Sequence, residues 1–268
     1  MIFLRSLAFN LALYVVTIVE MIVFTPFYFL AERKKAWWAP KFWARTNLWL
    51  QKVLAGTKSE VTGQENLPEG AFILAPKHQS FWDTFALVPH IPDAVYILKR
   101  ELMWIPVFGW YLGKMNMIPI DRGSPAKALR KVVVEARKRA EQGRQIIIYP
   151  EGTRRPPGAE PAYKHGIAEI YSRLGIPVVP VAHMAGLYWP RRRFLRYPGV
   201  IRARFLPPIP PGLSRTEFMA RLIEATEKAC DALLIEAAQS ENPPPLPPTA
   251  VERLKQLGVP VSENAIEA

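Results

Sequence analysis

Hydrophobic positions fall along this chain in three patterns, and each predicts a different kind of element. From Ser6 to Leu30 the sequence SLAFNLALYVVTIVEMIVFTPFYFL is almost wholly apolar, with Arg5 before it and Arg33-Lys34-Lys35 after it. As one helix it is about 37 Å long, enough to cross a hydrocarbon core. Glu20 near its middle makes a bilayer-centre position costly. The next stretch, AWWAPKFWARTNLWLQKVLAG, sets Trp37, Trp38, Trp43 and Trp49 among Lys41, Arg45 and Lys52, a mixture suited to the headgroup boundary. Residues 1–57 therefore read as a membrane-associated pair of helices dipping into or lying on one leaflet. A single span is the alternative, and a buried soluble hairpin the third reading. No small-residue cleavage site follows the apolar run, so a secretory signal fits poorly.

From about residue 58 to 240 the pattern changes to short apolar runs alternating with amphipathic ones. Strands are predicted at AFILA (71–75), AVYIL (94–98), NMIPI (116–120), RQIIIY (144–149), PVVPVA (177–182) and VIRARFL (200–206). Helices are predicted over Ser124 to Gln142, His165 to Leu174, and Ser214 to Gln239, the last opened by Ser214 with Glu217 at capping-box spacing. The alternation implies an α/β fold with a central, mostly parallel or mixed sheet flanked by helices. Continuous apolar strands such as QIII imply burial on both faces. Residues 241–268, with the cluster NPPPLPP, read as a proline-rich linker and tail.

Composition narrows the partners. Among 268 residues, 35 Lys and Arg face 23 Asp and Glu, a formal net charge of +12, which favours anionic partners. No nucleic-acid-binding motif accompanies that charge, so no nucleic-acid partner is expected. One cysteine, Cys230, excludes an internal disulfide, and no metal-ligand spacing is present.

The candidate chemistry sits where strands end. In APKHQSFWDTFAL, His78 and Asp83 are five residues apart, which on a helix would point them in different directions. AFILA runs straight into Pro76-Lys77-His78, so His78 falls in the turn after a strand. Ser80 with Asp83 has capping-box spacing, which predicts a helix starting at Ser80. The loop can then fold the imidazole onto the carboxylate. Taken alone, the spacing is also ordinary cap chemistry. YPEGTRR puts Glu151, Gly152, Thr153 and Arg154 just past another strand, where open α/β sheets place ligands. MIPIDRG adds Asp121 and Arg122. His90 and His183 are assigned no role.

Together KHQSFWD, MNMIPIDRG, YPEGTRR and IPVVPVA, in this order, resemble the glycerolipid acyltransferase family, most closely its bacterial 1-acylglycerol-3-phosphate branch. Lys77, Tyr149 and Arg155 stand where that family often has asparagine, phenylalanine and serine. The resemblance implies acyl transfer from a thioester, acyl-CoA or acyl carrier protein, to the sn-2 hydroxyl of lysophosphatidic acid, with no cofactor. His78 would be the general base and Asp83 its partner. Lys99, Arg122, Glu151, Gly152, Thr153 and Arg154 would bind substrate. It also implies membrane lipids as partners and the cytoplasmic face of the inner membrane as location. Another acceptor, such as glycerol 3-phosphate or a different lysolipid, is a sister reading; a catalytically silent membrane lipid-binding protein is the alternative from another class.

Overall fold

The computed structural model describes residues 1–121, 123 and 125–261, so Arg122 and Ser124 lie outside the described residues. Among the described residues seven strands are present: β1 (Thr57–Thr62), β2 (Ile73–Pro76), β3 (Ala94–Lys99), β4 (Ile118–Ile120), β5 (Gln145–Ile147), β6 (Val178–His183) and β7 (Gly199–Phe205). They form one sheet in the order β1-β7-β6-β2-β5-β3-β4. Strands β6, β2, β5, β3 and β4 are mutually parallel, whereas β7 runs against β6 and carries β1 parallel to it. The sheet is thus mixed, as the alternating pattern predicts. Strand β1 has no apolar run to announce it: TKSEVT is an edge strand that buries Thr57 fully and leaves its alternate residues exposed.

The helices are α1 (Ile2–Leu30), α2 (Trp38–Leu50), α3 (Phe108–Lys114), α4 (Pro125–Ala140), α5 (Gly166–Leu174), α6 (Ala185–Tyr188), α7 (Arg215–Ala238) and α8 (Pro248–Gln256). Ser214 caps α7 by accepting the Glu217 N–H at 3.2 Å. Alternate residues of β2 feed two cores. Leu74 joins Val179, Trp82, Phe85 and Leu234 on one face. Ile73 and Ala75 join Ile146, Val132, Ile170 and Phe218 on the other. Pro180 sits inside β6, not at its end. The ladder to β7 starts beside it at Val181, and its carbonyl still accepts the Leu206 N–H at 2.9 Å, so its missing N–H falls where β7 has left the sheet.

Two expectations are corrected. No α-helix begins at Ser80; only short 3-10 turns at Trp82–Thr84 and Val88–His90 follow, with Pro89 limiting continuation. The proline-rich stretch is not a free linker. Leu246, Ala250 and Leu254 are fully buried, and Arg253 in α8 pairs with Asp231 of α7 at 2.6 Å. Apolar side chains spaced along that stretch hold it down.

Helix α1 alone is long and apolar enough to cross a membrane, among the described residues, and only 17% of its most apolar stretch is buried. It lies along the α/β domain instead of leaving it. At one end the Arg196 N–H donates to Ser6 Oγ at 2.8 Å and Asn10 Nδ2 to the Phe194 carbonyl at 3.1 Å. At the other end Tyr28 stacks on Tyr111 at 4.0 Å, and Lys114 Nζ donates to the Phe29 and Ala31 carbonyls. Residues 6 and 28 are roughly 33 Å apart on a helix, a whole hydrocarbon thickness, yet both touch one domain. Glu20 is turned inward beside Thr46, so its carboxylate does not meet lipid. Of the four tryptophans, Trp38 and Trp49 are exposed, whereas Trp37 is buried.

Trp37 is buried because it serves a polar hub. Asp93 at the head of β3 accepts two bonds from Arg33 (2.6 and 2.9 Å), one from Trp37 Nε1 (2.9 Å) and one from the fully buried Arg144 (3.0 Å). Burial works to raise the Asp93 carboxyl, but Arg33, Arg144 and Trp37 outweigh it and hold the group below its usual 3.8. Burial in turn pulls Arg144 down to about 10, against the pull of Asp93. The hub ties the α1–α2 connection to the sheet. Asp93→Asn leaves buried guanidinium charge unpaired and is expected to cost about 3–5 kcal/mol, read from the denaturation midpoint. Because the folded carboxyl titrates below the unfolded one, its contribution is complete above about pH 4 and fades as pH falls through the folded value. The variant should therefore lose less stability than the parent on acidification below pH 4.

Candidate active site

Strand β2 delivers Lys77 and His78 directly past its carboxyl end. The Lys77 N–H donates to the Val181 carbonyl at 3.0 Å, and the Lys77 carbonyl accepts His183 Nε2–H at 2.9 Å, so the turn is stitched to β6 on both sides of one residue. The chain then wraps around a carboxylate. Asp83 has no solvent exposure. Its Oδ2 accepts the N–H groups of Gln79 (2.7 Å) and Ser80 (2.8 Å), and its Oδ1 accepts His78 Nδ1–H at 2.9 Å. The capping-box contact from Asp83 back to Ser80 therefore exists without the helix it normally starts. Ser80 Oγ is engaged with the Trp189 carbonyl (2.8 Å) and the Trp82 N–H (3.2 Å), which makes it an anchor for the turn.

Burial alone would raise the Asp83 carboxyl, but the hydrogen bond from His78, the neighbouring His183 and the Ser80 N–H hold it below the usual carboxylate range. Asp83 is thus ionised throughout the neutral range and fixes the His78 tautomer. With Nδ1 on the carboxylate, Nε2 is turned away from it as a basic nitrogen. Tyr149 lies flat against the imidazole, 4.0 Å between centroids at 24°, and its hydroxyl donates to the Asp83 carbonyl at 2.9 Å. Burial raises the Tyr149 phenol well above 10, with Asp83 adding to the effect, so it remains a donor. The ring is held from its edge and its face, an arrangement that would suit a general base.

The second loop leaves β5. Tyr149, Pro150, Glu151 and Gly152 make a β-turn closed by the Gly152 N–H on the Tyr149 carbonyl (3.0 Å), and Gly152 takes φ +67°, which a side chain would oppose. The Arg155 N–H donates to the His78 carbonyl at 2.8 Å, joining this loop to the first. Thr153 is exposed and Arg154 half-buried. The Arg154 guanidinium stands over Phe81 at 5.8 Å, and its backbone carbonyl accepts a bond from Arg191 at 2.9 Å. The structure thus brings His78, Asp83, Gly152, Thr153 and Arg154 together.

Glu151 is placed differently from the expected substrate contact. It is 1% exposed, lies 3.2 Å from Lys77 Nζ and 3.7 Å from Arg155 Nε, and accepts the Ala162 N–H at 3.3 Å. It braces the loop from behind. Lys77 also pairs with Glu227 of α7 at 3.0 Å. Burial opposes its charge, but Glu227, Cys230 and Glu151 outweigh that and raise its pKa. Behind this cluster is a cavity of about 220 Å³ bounded in part by Gln79, Met184, Cys230 and Leu234. Lys99 ends β3, two strands from β2 and so roughly 10 Å along the sheet edge, where it pairs with Glu101 at 3.3 Å. Asp121 follows β4 and holds Arg100 at 2.6 Å; Arg122 lies outside the described residues.

His183, given no role from sequence, belongs to the site. It is fully buried at the end of β6, with Nε2 3.6 Å from Asp83 Oδ2 and Nδ1 accepting the Ala185 N–H at 3.3 Å. Burial lowers its pKa, so it is a neutral strut under the carboxylate. Its position right after PVVPVA, at a strand's carboxyl end, was the available signal. Among the described residues no cluster of three or more His, Cys, Asp or Glu side chains could hold a metal ion.

The family model described as Acyltransferase matches residues 58–184. A 1-acyl-sn-glycerol-3-phosphate acyltransferase of Pseudomonas aeruginosa is 40% identical over 160 residues, covering 60% of this chain and 62% of that protein. A chloroplastic protein of the same description from Brassica napus is 30% identical over 175 residues, 63% of this chain and 49% of that one. The chain thus spans between about half and three fifths of these relatives. A crystal structure of the 1-acyl-sn-glycerophosphate acyltransferase PlsC from Thermotoga maritima superposes with TM-score 0.72 at 24% identity, covering 87% of this chain and 99% of that one; the two share a fold.

The brace behind the site can be tested by stability. Lys77→Met strands Glu151 in the interior and is expected to cost about 3–5 kcal/mol. Glu227→Gln keeps the Lys77–Glu151 pair and should cost about 1 kcal/mol. Chemical denaturation of both variants, compared with the parent, reads the difference.

Proposed function

Because residues 58–184 form a domain of the acyltransferase family, we propose that this chain transfers an acyl group from a thioester, acyl-CoA or acyl carrier protein, to the sn-2 hydroxyl of lysophosphatidic acid, giving phosphatidic acid. The observation that carries this reading is the His78–Asp83 pair at 2.9 Å, joined through one backbone hydrogen bond to the loop that carries Arg154. A binding module has no need of a carboxylate-oriented imidazole with one nitrogen left for substrate.

In this mechanism His78 Nε2 takes the proton of the acceptor hydroxyl as its oxygen attacks the thioester carbonyl. Asp83 keeps Nδ1 protonated and stabilises the imidazolium, as in a serine-protease triad whose hydroxyl comes from the substrate. Collapse of the tetrahedral intermediate breaks the carbon–sulfur bond. The proton on Nε2 passes to the departing thiolate, leaving ester and free thiol. Arg154 suits the acceptor phosphate, because a guanidinium can offer it two parallel bonds. Lys99 reaches the same edge from β3. With acyl-CoA or acyl carrier protein as the donor, the reaction would take place on the cytoplasmic face of the membrane.

The apolar, outward-facing side of α1 supports attachment to one leaflet. With both ends of α1 held by the same domain, cysteines replacing Ile2 and Lys34 should react with a membrane-impermeant maleimide from one and the same side; reaction from opposite sides would establish a span.

The activity test mixes protein reconstituted in vesicles with lysophosphatidic acid and long-chain acyl thioester, following free thiol and lipid product together. His78→Ala and Asp83→Asn should each lower kcat by about 10²–10⁴-fold. Arg154→Ala should raise the acceptor KM by roughly tenfold or more. Product from glycerol 3-phosphate or another lysolipid, in place of lysophosphatidic acid, would move the acceptor assignment. Lysolipid binding with no turnover on any acceptor or donor would sink the enzymatic reading.

A further inference from the structure

Between β3 and β4 the chain exposes a second apolar surface, separate in sequence from α1 and α2. Trp104 is 65% exposed, Ile105 45% and Trp110 61%. These are costly residues to show to water, and the segment that shows them is held rigidly. Val107 takes φ +63° and ψ −56°, with the Phe108 N–H donating to the Pro106 carbonyl at 2.7 Å. That is a γ-turn of the strained kind, centred on a β-branched residue. Gly109 closes the segment onto itself, since a Cβ there would meet the Met103 carbonyl oxygen at 2.1 Å. Strain kept within an exposed, well-tied loop points to a surface shaped for contact.

The loop continues the apolar surface of α1. Tyr111 of α3 stacks on Tyr28 at 4.0 Å and meets Phe29 edge-on at 5.6 Å, and the exposed Phe27 and Leu30 lie in the same last turns of α1. Behind the aromatic tip stand cations. The Arg100 guanidinium sits 5.3 Å over the Trp104 ring, and Lys99 is next to it in sequence, both about half exposed. Indole rings at the tip with cations one step behind match the layering of an anionic bilayer surface.

We propose that Trp104, Ile105, Phe108 and Trp110 form a lip that inserts into an anionic leaflet as a second membrane contact, setting the depth at which the carboxyl edge of the sheet meets the headgroups. This rests on the membrane-bound acyltransferase reading and deepens it. Because one short 3-10 turn, Arg100–Trp104, joins Lys99 to the lip, its insertion holds that lysine and Arg100 at phosphate level, roughly two strand spacings, about 10 Å, from the strand that carries His78. The lip then widens the contact made by the last turns of α1 towards β3, which stops the domain from rolling about the long helix.

The test uses the full chain in vesicles of equal parts phosphatidylcholine and phosphatidylglycerol, with doxyl-labelled lipid as quencher. Cys230 is buried, so cysteines introduced one at a time in place of Trp104, Phe42 and Glu141 can be labelled alone with a fluorescent probe. Phe42 reports on α2, and Glu141 lies at the amino edge of the sheet, just before β5. The expected result is quenching at positions 104 and 42 and none at 141. Quenching at 42 with silence at 104 would overturn the lip, leave the membrane reading standing, and free this face for a protein partner. Silence at both would overturn the lip and the membrane reading together. Equal quenching at 141 would overturn the lip as well, since no face would then be favoured.

Discussion

A carboxylate removed from water has to be satisfied by the chain around it, and Asp83 imposes that requirement on this fold. Its two oxygens collect the Gln79 and Ser80 N–H groups and the His78 imidazole, with His183 3.6 Å away. Six consecutive residues are thereby wound around one side chain. The same winding turns the imidazole edge-on to its partner and leaves the other ring nitrogen outward. The geometry of the His78–Asp83 pair and the local fold are one constraint here. Were Asp83 neutral, the turn would lose its centre and His78 its tautomer at once.

Around this centre the interior spends its other charges on joining segments. Lys77 connects the β2 turn with Glu151 of the second loop and Glu227 of α7. Asp93 connects the α1–α2 link with the amino ends of β3 and β5. Buried ion pairs of this kind contribute little net stability compared with apolar packing of the same volume, yet removing one partner is costly. Their effect is to disfavour every arrangement except the one in which the loops meet. For an active site assembled from loops after different strands, that selectivity matters more than the free energy of the pairs themselves.

How much of this could be read from sequence depends on whether the signal was local. The parallel strands were legible because each is a continuous apolar run flanked by turn residues, and their carboxyl ends located His78 and the Glu151–Arg154 loop. Strand β1 was not legible, because an edge strand alternates weakly and its identity comes from pairing with β7, more than 130 residues later in the register. The helix expected at Ser80 failed for an instructive reason. The capping contact is real, but Asp83 is committed to His78, and the backbone follows the carboxylate into a tight 3-10 path. Glu151 was assigned to substrate from the YPEGTRR motif, with bracing the loop as the other reading; the lysine arriving from β2 turns it inward and favours the brace. His183 was passed over although it follows PVVPVA at a strand's carboxyl end, because that position does not by itself say that β6 lies beside β2.

The relation between the apolar helix and the site follows from a chain of aromatic contacts. Phe9 of α1 packs edge-on against Trp189 at 5.2 Å. Trp189 contacts Phe81 at 5.6 Å, and Phe81 lies under Arg154 at 5.8 Å. The Trp189 carbonyl is also the acceptor for Ser80 Oγ, so the turn that holds Asp83 is fastened to the residue on which α1 rests. Two side chains, Trp189 and Phe81, therefore separate the apolar helix from the Arg154 guanidinium. A single-chain lysolipid with its tail among the exposed residues of α1 would need to lift only its headgroup from the interface to reach this edge. The cost of extracting a long acyl chain into water, about 0.8 kcal/mol per methylene, would make a site remote from the bilayer slow whatever its chemistry. On the proposed acyltransferase reading, a site on the edge that Trp189 links to α1 would avoid that cost, and a helix bound to the domain along its length would suit it better than a flexible tether.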